Sequence, residues 1–228
     1  MDDSFNISML PIIVSAVLIV ISIRIIIVLY KCGKPLHVST SKPVRTLIIL
    51  GSGGHTAEML NLVKVLQKER FTPRYYIAAT TDNMSLQKAK VLEESLIHEA
   101  GVRELEAAHF MQIYRSREVG QSYLTSVGTT LIAMAHAMWL TFKVQPQVVM
   151  VLCNGPGTCI PLCAAAFLLK VIGIRWSSIF YVESIARVRK LSLSGLLLYN
   201  SRLADQFFVQ WPQLQRKYPR AQYVGCLM

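Results

Sequence analysis

From Ile12 to Tyr30 the chain is apolar at every position except Ser15, Ser22 and Arg24. The run has the roughly 20 residues that a membrane-spanning helix needs. Arg24, near its C-terminal end, can extend its charge to the lipid headgroups. After this run the pattern changes. Residues 31–44, with Pro35, Ser39, Ser41 and Pro43, read as a short linker. Beyond it, short β-branched runs alternate with stretches of helical period. Thr46 to Leu50 predicts a strand, ended by Gly51-Ser52-Gly53-Gly54-His55, and Met59, Leu60, Val63 and Leu66 then repeat at helical spacing. A strand over Tyr75 to Ala79 precedes a helix over Ser85 to His98, and a longer helix runs from Ser122 to Phe142, ended by Pro146. Val148 to Leu152 predicts a further strand, closed by Asn154-Gly155-Pro156-Gly157-Thr158, before an apolar helix from Ile160 to Val171. Strands over Trp176 to Val182, Asp205 to Val209 and Ala221 to Val224, with a short helix around Leu214, complete the pattern. Such alternation means an α/β fold: a Rossmann-like parallel sheet with helices on both faces, preceded by one transmembrane helix. The expected division is an anchor at 1–30, a linker at 31–44 and the folded domain at 45–228.

Composition sharpens this reading. At 228 residues the chain suits one domain plus an appendage. Its net charge of +11 calls for an anionic partner or neighbourhood, and a 53% hydrophobic content favours membrane lipid over nucleic acid. No basic stripe interleaved with aromatics marks a nucleic-acid surface. Asp2 and Asp3 precede the apolar run, and Lys31, Lys34, Lys42 and Arg45 follow it, so the positive-inside rule puts the domain on the cytosolic side. A cleaved signal peptide fits less well: the start is acidic, the run is long, and no small-x-small site precedes Lys31. The five cysteines, Cys32, Cys153, Cys159, Cys163 and Cys226, form no Cys-x-x-Cys pair and support neither a zinc site nor a disulfide framework. They point to a reducing compartment.

In folds of this class ligands bind beyond the carboxyl ends of the strands. Three loops lie there: Gly51 to His55, Asn154 to Thr158, and Glu183 onward. The first packs three glycines into four residues directly before a helix, so the backbone can approach a ligand closely and the helix start offers free N–H groups to an anion. Thr56 stands where the dinucleotide fingerprint needs its last glycine, and no Gly-Lys-Ser/Thr follows, so the loop is neither that fingerprint nor a P-loop. The second loop repeats the logic at another strand end. The alternative for either is a tight strand-to-helix turn without a ligand. His55, ending the first loop, is a candidate general base. Glu183 is a candidate base, a partner for sugar hydroxyls, or the cap of the next helix. Arg115, Arg117, Arg187, Arg189 and Lys190 lie in loop-like stretches and either hold a pyrophosphate or form a solvated basic surface. His37, His98, His109 and His136 lack metal-ligand spacing, and no Asp-x-Asp occurs, so neither a metal nor a cofactor is expected.

The stretches LIILGSGGHTAEML, YIAATTDN, IYRSREVGQSYLTS, VLCNGPGTCIPL and FYVESIARV together resemble one family. It is the membrane-anchored subunit of the two-part UDP-N-acetylglucosamine transferase of dolichol-linked oligosaccharide synthesis. More distantly, the chain resembles the N-terminal half of the bacterial enzyme that adds N-acetylglucosamine to the undecaprenyl-linked peptidoglycan precursor. The resemblance implies half of a GT-B glycosyltransferase, the half that binds the lipid-linked acceptor. The donor-binding domain would arrive as a separate soluble catalytic subunit, recruited to the cytosolic face of the endoplasmic reticulum. It implies transfer of the second N-acetylglucosamine to N-acetylglucosaminyl-diphosphodolichol with inversion. It also implies acceptor or pyrophosphate contacts from Gly51, Ser52, Gly53, Gly54, Thr56, Asn154, Gly155, Gly157, Arg115 and Arg117, with His55 or Glu183 as base. The apolar tail, Val224 to Met228, is expected to touch the catalytic partner. The competing reading is a recruitment factor with no part in acceptor binding or chemistry.

Overall fold

A computed structural model describes residues 3–32, 43–100, 108–116, 122–144, 150–155 and 157–227. Fourteen elements follow one another among them. A long helix α1 (Asp3–Lys31) precedes β1 (Thr46–Ile49), α2 (Gly54–Val65), β2 (Arg74–Ala79), α3 (Asn83–Ala100), β3 (His109–Ile113) and α4 (Tyr123–Lys143). Then come β4 (Met150–Cys153), α5 (Cys159–Ile172), β5 (Ser178–Val182), α6 (Leu193–Ser201), β6 (Gln206–Val209), α7 (Pro212–Lys217) and β7 (Gln222–Tyr223). The seven strands form one parallel sheet in the order β3-β2-β1-β4-β5-β6-β7. The chain winds outward from β1 in one direction and from β4 in the other, so the order reverses between these two central strands.

The period-two alternation of the strands divides the core between the faces of the sheet. Leu47 and Ile49 of β1 join Val151, Cys153, Ile179, Tyr181 and Phe207 on one face, beneath Ala137 and Leu140 of α4 and Leu162 and Ala166 of α5. Ile48 and Leu50 join Met150, Leu152 and Val182 on the other, beneath Met59 and Val63 of α2 and Ala89 and Leu92 of α3. Central strands covered on both faces read as continuous apolar runs, which is why β1 and β4 were visible in the sequence. Under α3, Arg74 grips Glu93 with two bonds of 2.7 Å, and the Tyr76 hydroxyl donates to the same carboxylate at 2.5 Å.

Two elements are additions to the sequence reading. β3 is an edge strand in which only Ile113 is buried, so HFMQI carries no apolar run; stacking of His109 on Tyr75 and of Phe110 on Tyr76 holds it in place. α6 is short and closed at its start by Ser192, whose hydroxyl accepts from Gly195 N–H. Residues 148 and 149 of the expected strand Val148 to Leu152, and most of the 31–44 linker, lie outside the described residues.

Within α1, residues Met9–Lys31 are long and apolar enough to cross a bilayer, spanning about 34 Å at helical rise. The last turns of α1 rest on α5, with Val28 fully buried. Arg24 is not extended toward headgroups. It donates to Val171 O at 3.0 Å and Lys170 O at 3.1 Å, carbonyls of the last turn of α5, where the helix dipole favours a cation. Gly173, at φ +85°, turns the chain away at that point, and a side chain there would meet the Arg24 guanidinium. Below it the buried Lys170 ammonium pairs with Asp205, whose carboxylate also accepts from Ile179 N–H at 2.7 Å.

Candidate functional site

The carboxyl ends of β1 and β4 lie side by side where the strand order reverses, the place at which an open α/β sheet leaves a crevice. The two glycine loops meet there around a cavity of about 230 Å3, lined by Gly51, Ser52 and His55 on one side and by Gly155, Gly157 and Thr158 on the other. Asp82, after β2, and Arg115, after β3, complete the rim.

Backbone conformation explains the glycines at two positions. Gly53 takes φ +61° as it hands the chain to α2, a value L side chains rarely adopt. Gly155 takes φ +58°, and a Cβ on it would stand 2.8 Å from Cε1 of His55. The second loop is therefore built to let the imidazole of the first lie against its backbone. α2 and α5 both begin at this cavity without a side-chain cap, which leaves their starts suited to an anion, although Ile160 N–H of α5 already donates to Gly157 O at 3.3 Å. The Thr158 hydroxyl on the rim is buried and has no hydrogen-bond partner among the described residues. Arg115 reaches Thr81 Oγ1 at 3.3 Å. Asp82 is occupied locally, accepting from Ser85 N–H at 3.2 Å and Ser85 Oγ at 2.6 Å.

Other expected ligand residues lie beneath the loops instead of in the cavity wall. Thr56 is buried and donates to Gly51 O, and Ser85 Oγ lies 2.9 Å from the same carbonyl, so both hydroxyls pack under the first loop. Asn154 is fully buried, and its amide donates to Glu58 Oε2 at 2.8 Å. Gly53 and Gly54 are exposed just outside the wall. Arg117 lies outside the described residues, and Arg187, Arg189 and Lys190 are exposed away from the cavity rim.

The two acid–base candidates occupy different surroundings. His55 lines the cavity with its side chain 34% exposed, and its Nδ1 stands 3.7 Å from Glu58 Oε2. Glu183 is fully buried and is absent from the cavity wall. Its carboxylate accepts from Ser192 N–H at 2.9 Å, Ser184 N–H and Ser192 Oγ at 3.1 Å, and Tyr181 Oη at 3.3 Å. Burial raises its pKa above the ordinary 4.5, while these hydrogen bonds pull the other way. Of the three roles open to Glu183, the geometry matches the cap: it ties the end of β5 to the start of α6.

Glu58 escaped the sequence reading. One oxygen accepts from Asn154 after β4 and faces His55; the other accepts from Ser184 after β5 at 2.7 Å. A single carboxylate of α2 thus links all three strand-end loops. Its signal was its spacing, three residues after His55 on the same helical face.

The fold is shared with solved structures. Acinetobacter baumannii MurG superposes with a TM-score of 0.51 at 19% identity, over 75% of this chain and 43% of that one. A UDP-N-acetylglucosamine 2-epimerase superposes with a TM-score of 0.54 at 15% identity, over 78% and 45%. The chain thus spans less than half the length of either. Sequence relatives match nearly end to end. The mouse protein named UDP-N-acetylglucosamine transferase subunit ALG14 is 46% identical over 192 residues, 84% of this chain and 86% of its own length. The protein of the same name from Yarrowia lipolytica is 43% identical over 220 residues, 94% and 96% respectively. A family profile described as oligosaccharide biosynthesis protein Alg14 like matches residues 46–227. With the profile covering the whole sheet and both glycine loops, this chain belongs to the Alg14-like family.

Proposed function

We propose that this chain is the membrane-anchoring, acceptor-binding subunit of a UDP-N-acetylglucosamine transferase that adds the second N-acetylglucosamine to N-acetylglucosaminyl-diphosphodolichol. The observation that carries this reading is the cavity between β1 and β4, where two uncapped helix starts and Arg115 converge beside His55. A pyrophosphate suits that environment, because open N–H groups and a guanidinium both favour anionic oxygen. The names of the relatives support a subunit of such a transferase. The solved neighbours are about twice the length of the matched region, which supports a second half supplied by a soluble, donor-binding partner.

In this reading residues 1–30 are the anchor, 31–44 the linker and 45–228 the acceptor domain, on the cytosolic face of the endoplasmic reticulum. The acceptor's 4-hydroxyl forms a bond to C1 of UDP-N-acetylglucosamine while the bond from C1 to the UDP oxygen breaks, inverting that carbon. His55 takes the hydroxyl proton at Nε2, and Glu58, on the Nδ1 side, stabilises the imidazolium that forms. Glu183 acts at a distance, by fixing the loop after β5. Tethering keeps the domain where its lipid substrate is concentrated. The chain end is the partner contact: Tyr223 of the edge strand and Val224 just after it are exposed, and Leu227 N–H is held by Gln210 Oε1 at 3.0 Å.

The test is glycosyl transfer on membranes supplied with UDP-N-acetylglucosamine and the diphosphodolichol-linked acceptor, with and without the soluble partner. Activity only when both proteins are present is expected. Full activity of a His55→Ala complex that still assembles would overturn the acceptor-site role and leave a recruitment factor. Deleting residues 224–228 should abolish co-precipitation of the partner; unchanged recovery would exclude the tail as the contact.

A further inference from the structure

A second cavity, of about 290 Å3, lies at the opposite end of the sheet, where β6 and β7 begin. Leu29 and Cys32 at the end of α1, Tyr199 and Arg202 at the end of α6, and Arg220 just before β7 contribute to its wall. Both arginines are presented by built local structure. Arg202 takes φ +55° to close α6. The Arg220 guanidinium lies 4.1 Å over the Tyr199 ring and donates to Tyr199 O at 2.7 Å. Neither arginine has a carboxylate partner among the described residues. The one acid in the wall, Asp205, is already engaged by the Lys170 ammonium and Ile179 N–H. The cavity therefore carries uncompensated positive charge.

Its depth relative to the bilayer follows from α1, taken here, as in the proposed function, as the spanning helix. Arg24 is pinned to the end of α5, and Leu29 to Cys32 lie five to eight residues further on, about 8–12 Å along the helix axis. The apolar run ends at Tyr30. The cavity thus opens at the level where a spanning helix leaves hydrocarbon for the headgroup layer.

We propose that this cavity binds the phosphate of an anionic lipid headgroup, of the phosphatidic acid class, between Arg202 and Arg220. Planar guanidinium forks match phosphate oxygens in pairs, and a phosphomonoester offers the charge to balance two of them. A headgroup held there touches the anchor on one side and the sheet edge on the other. It so fixes how the domain sits on the membrane, at the end of the sheet away from the acceptor cavity.

The test uses the full chain, detergent-solubilised with its anchor, titrated by calorimetry with dioctanoyl phosphatidic acid, dioctanoyl phosphatidylcholine and inorganic phosphate. Saturable binding of the phosphatidic acid is expected. It should weaken at least tenfold in Arg202→Gln, whose side chain makes no hydrogen bond or ion pair among the described residues, with Tm unchanged. Arg189→Gln, on an exposed loop elsewhere, should bind like the parent. Equal affinity in Arg202→Gln, or an equal loss in Arg189→Gln, would overturn the site, and phosphate binding as tightly as the lipid would overturn the headgroup assignment. Alkaline carbonate extraction tests the anchor separately: a chain released by carbonate that still saturates with lipid loses the spanning helix and keeps the pocket.

Discussion

His55 and Glu183 each follow a strand on the same edge of the sheet, and nothing in the residue pattern prefers one as the chemical group. The fold treats them oppositely. His55 sits on the rim of a polar cavity, against the bare backbone of Gly155, with a carboxylate 3.7 Å from its Nδ1. Glu183 sits beneath a loop, with four donors converging on its carboxylate and no exposure. An acid–base group must reach substrate and change protonation during the reaction, whereas a buried carboxylate saturated with donors is a structural tie. Position at a strand end thus leaves open whether a side chain is accessible or a structural tie, and what separates the two cases is the burial and hydrogen bonding around each.

The largest expected effect tests the first half of that contrast. His55→Ala should lower transfer by about 10²–10⁴-fold, while Tm and partner recovery stay within error of the parent. Full activity would remove His55 from the chemistry. The second half predicts the reverse pattern for Glu183→Ala. It strands two backbone N–H groups and two hydroxyls in the interior, at about 1–3 kcal/mol each where water cannot reach them, so a loss of at least about 3 kcal/mol is expected by denaturant titration. Residual activity should then track the folded fraction. A stable, inactive Glu183→Ala protein would return Glu183 to the list of bases.

Gly155→Ala sits between the two regions. It forces a side chain into left-handed backbone, at about 1–2 kcal/mol, and pushes on His55 at 2.8 Å. Transfer should fall more than stability does, and the double variant Gly155→Ala/His55→Ala should be no less active than His55→Ala alone. The smallest effect is on pH dependence. Because burial raises the Glu183 pKa, the folded state holds this proton more tightly than the unfolded chain. The associated stability is present in full below 4.5 and is lost as pH rises through the raised value. Glu183→Gln cannot titrate, so its stability should be flatter across that window; parallel curves for parent and variant would show that burial does not raise this pKa in the protein.

Much of the molecule was legible because single residues carried the signal. β1 and β4 are buried on both faces and read as unbroken apolar runs. The glycines of both loops announced positive φ at Gly53 and Gly155, and α1 announced itself by length and apolarity. β3 was illegible because an edge strand with one buried residue leaves no pattern, its place being fixed by stacking on β2. The sequence points Arg24 at the headgroups because it offers no view of α5, whose last-turn carbonyls lie more than a hundred residues away.

The sequence by itself determined the alternation of strands and helices, the long apolar helix and the two glycine loops. These follow from local periodicity and from backbone conformations that only glycine adopts readily. Only the tertiary structure decided which loops share a cavity, that Glu58 joins all three of them, and that Glu183 is closed off while His55 stays open. Those outcomes depend on which strands pair at the reversal between β1 and β4 and on which donors reach a given carboxylate. Such contacts bring together residues far apart in the chain, and no local pattern encodes them.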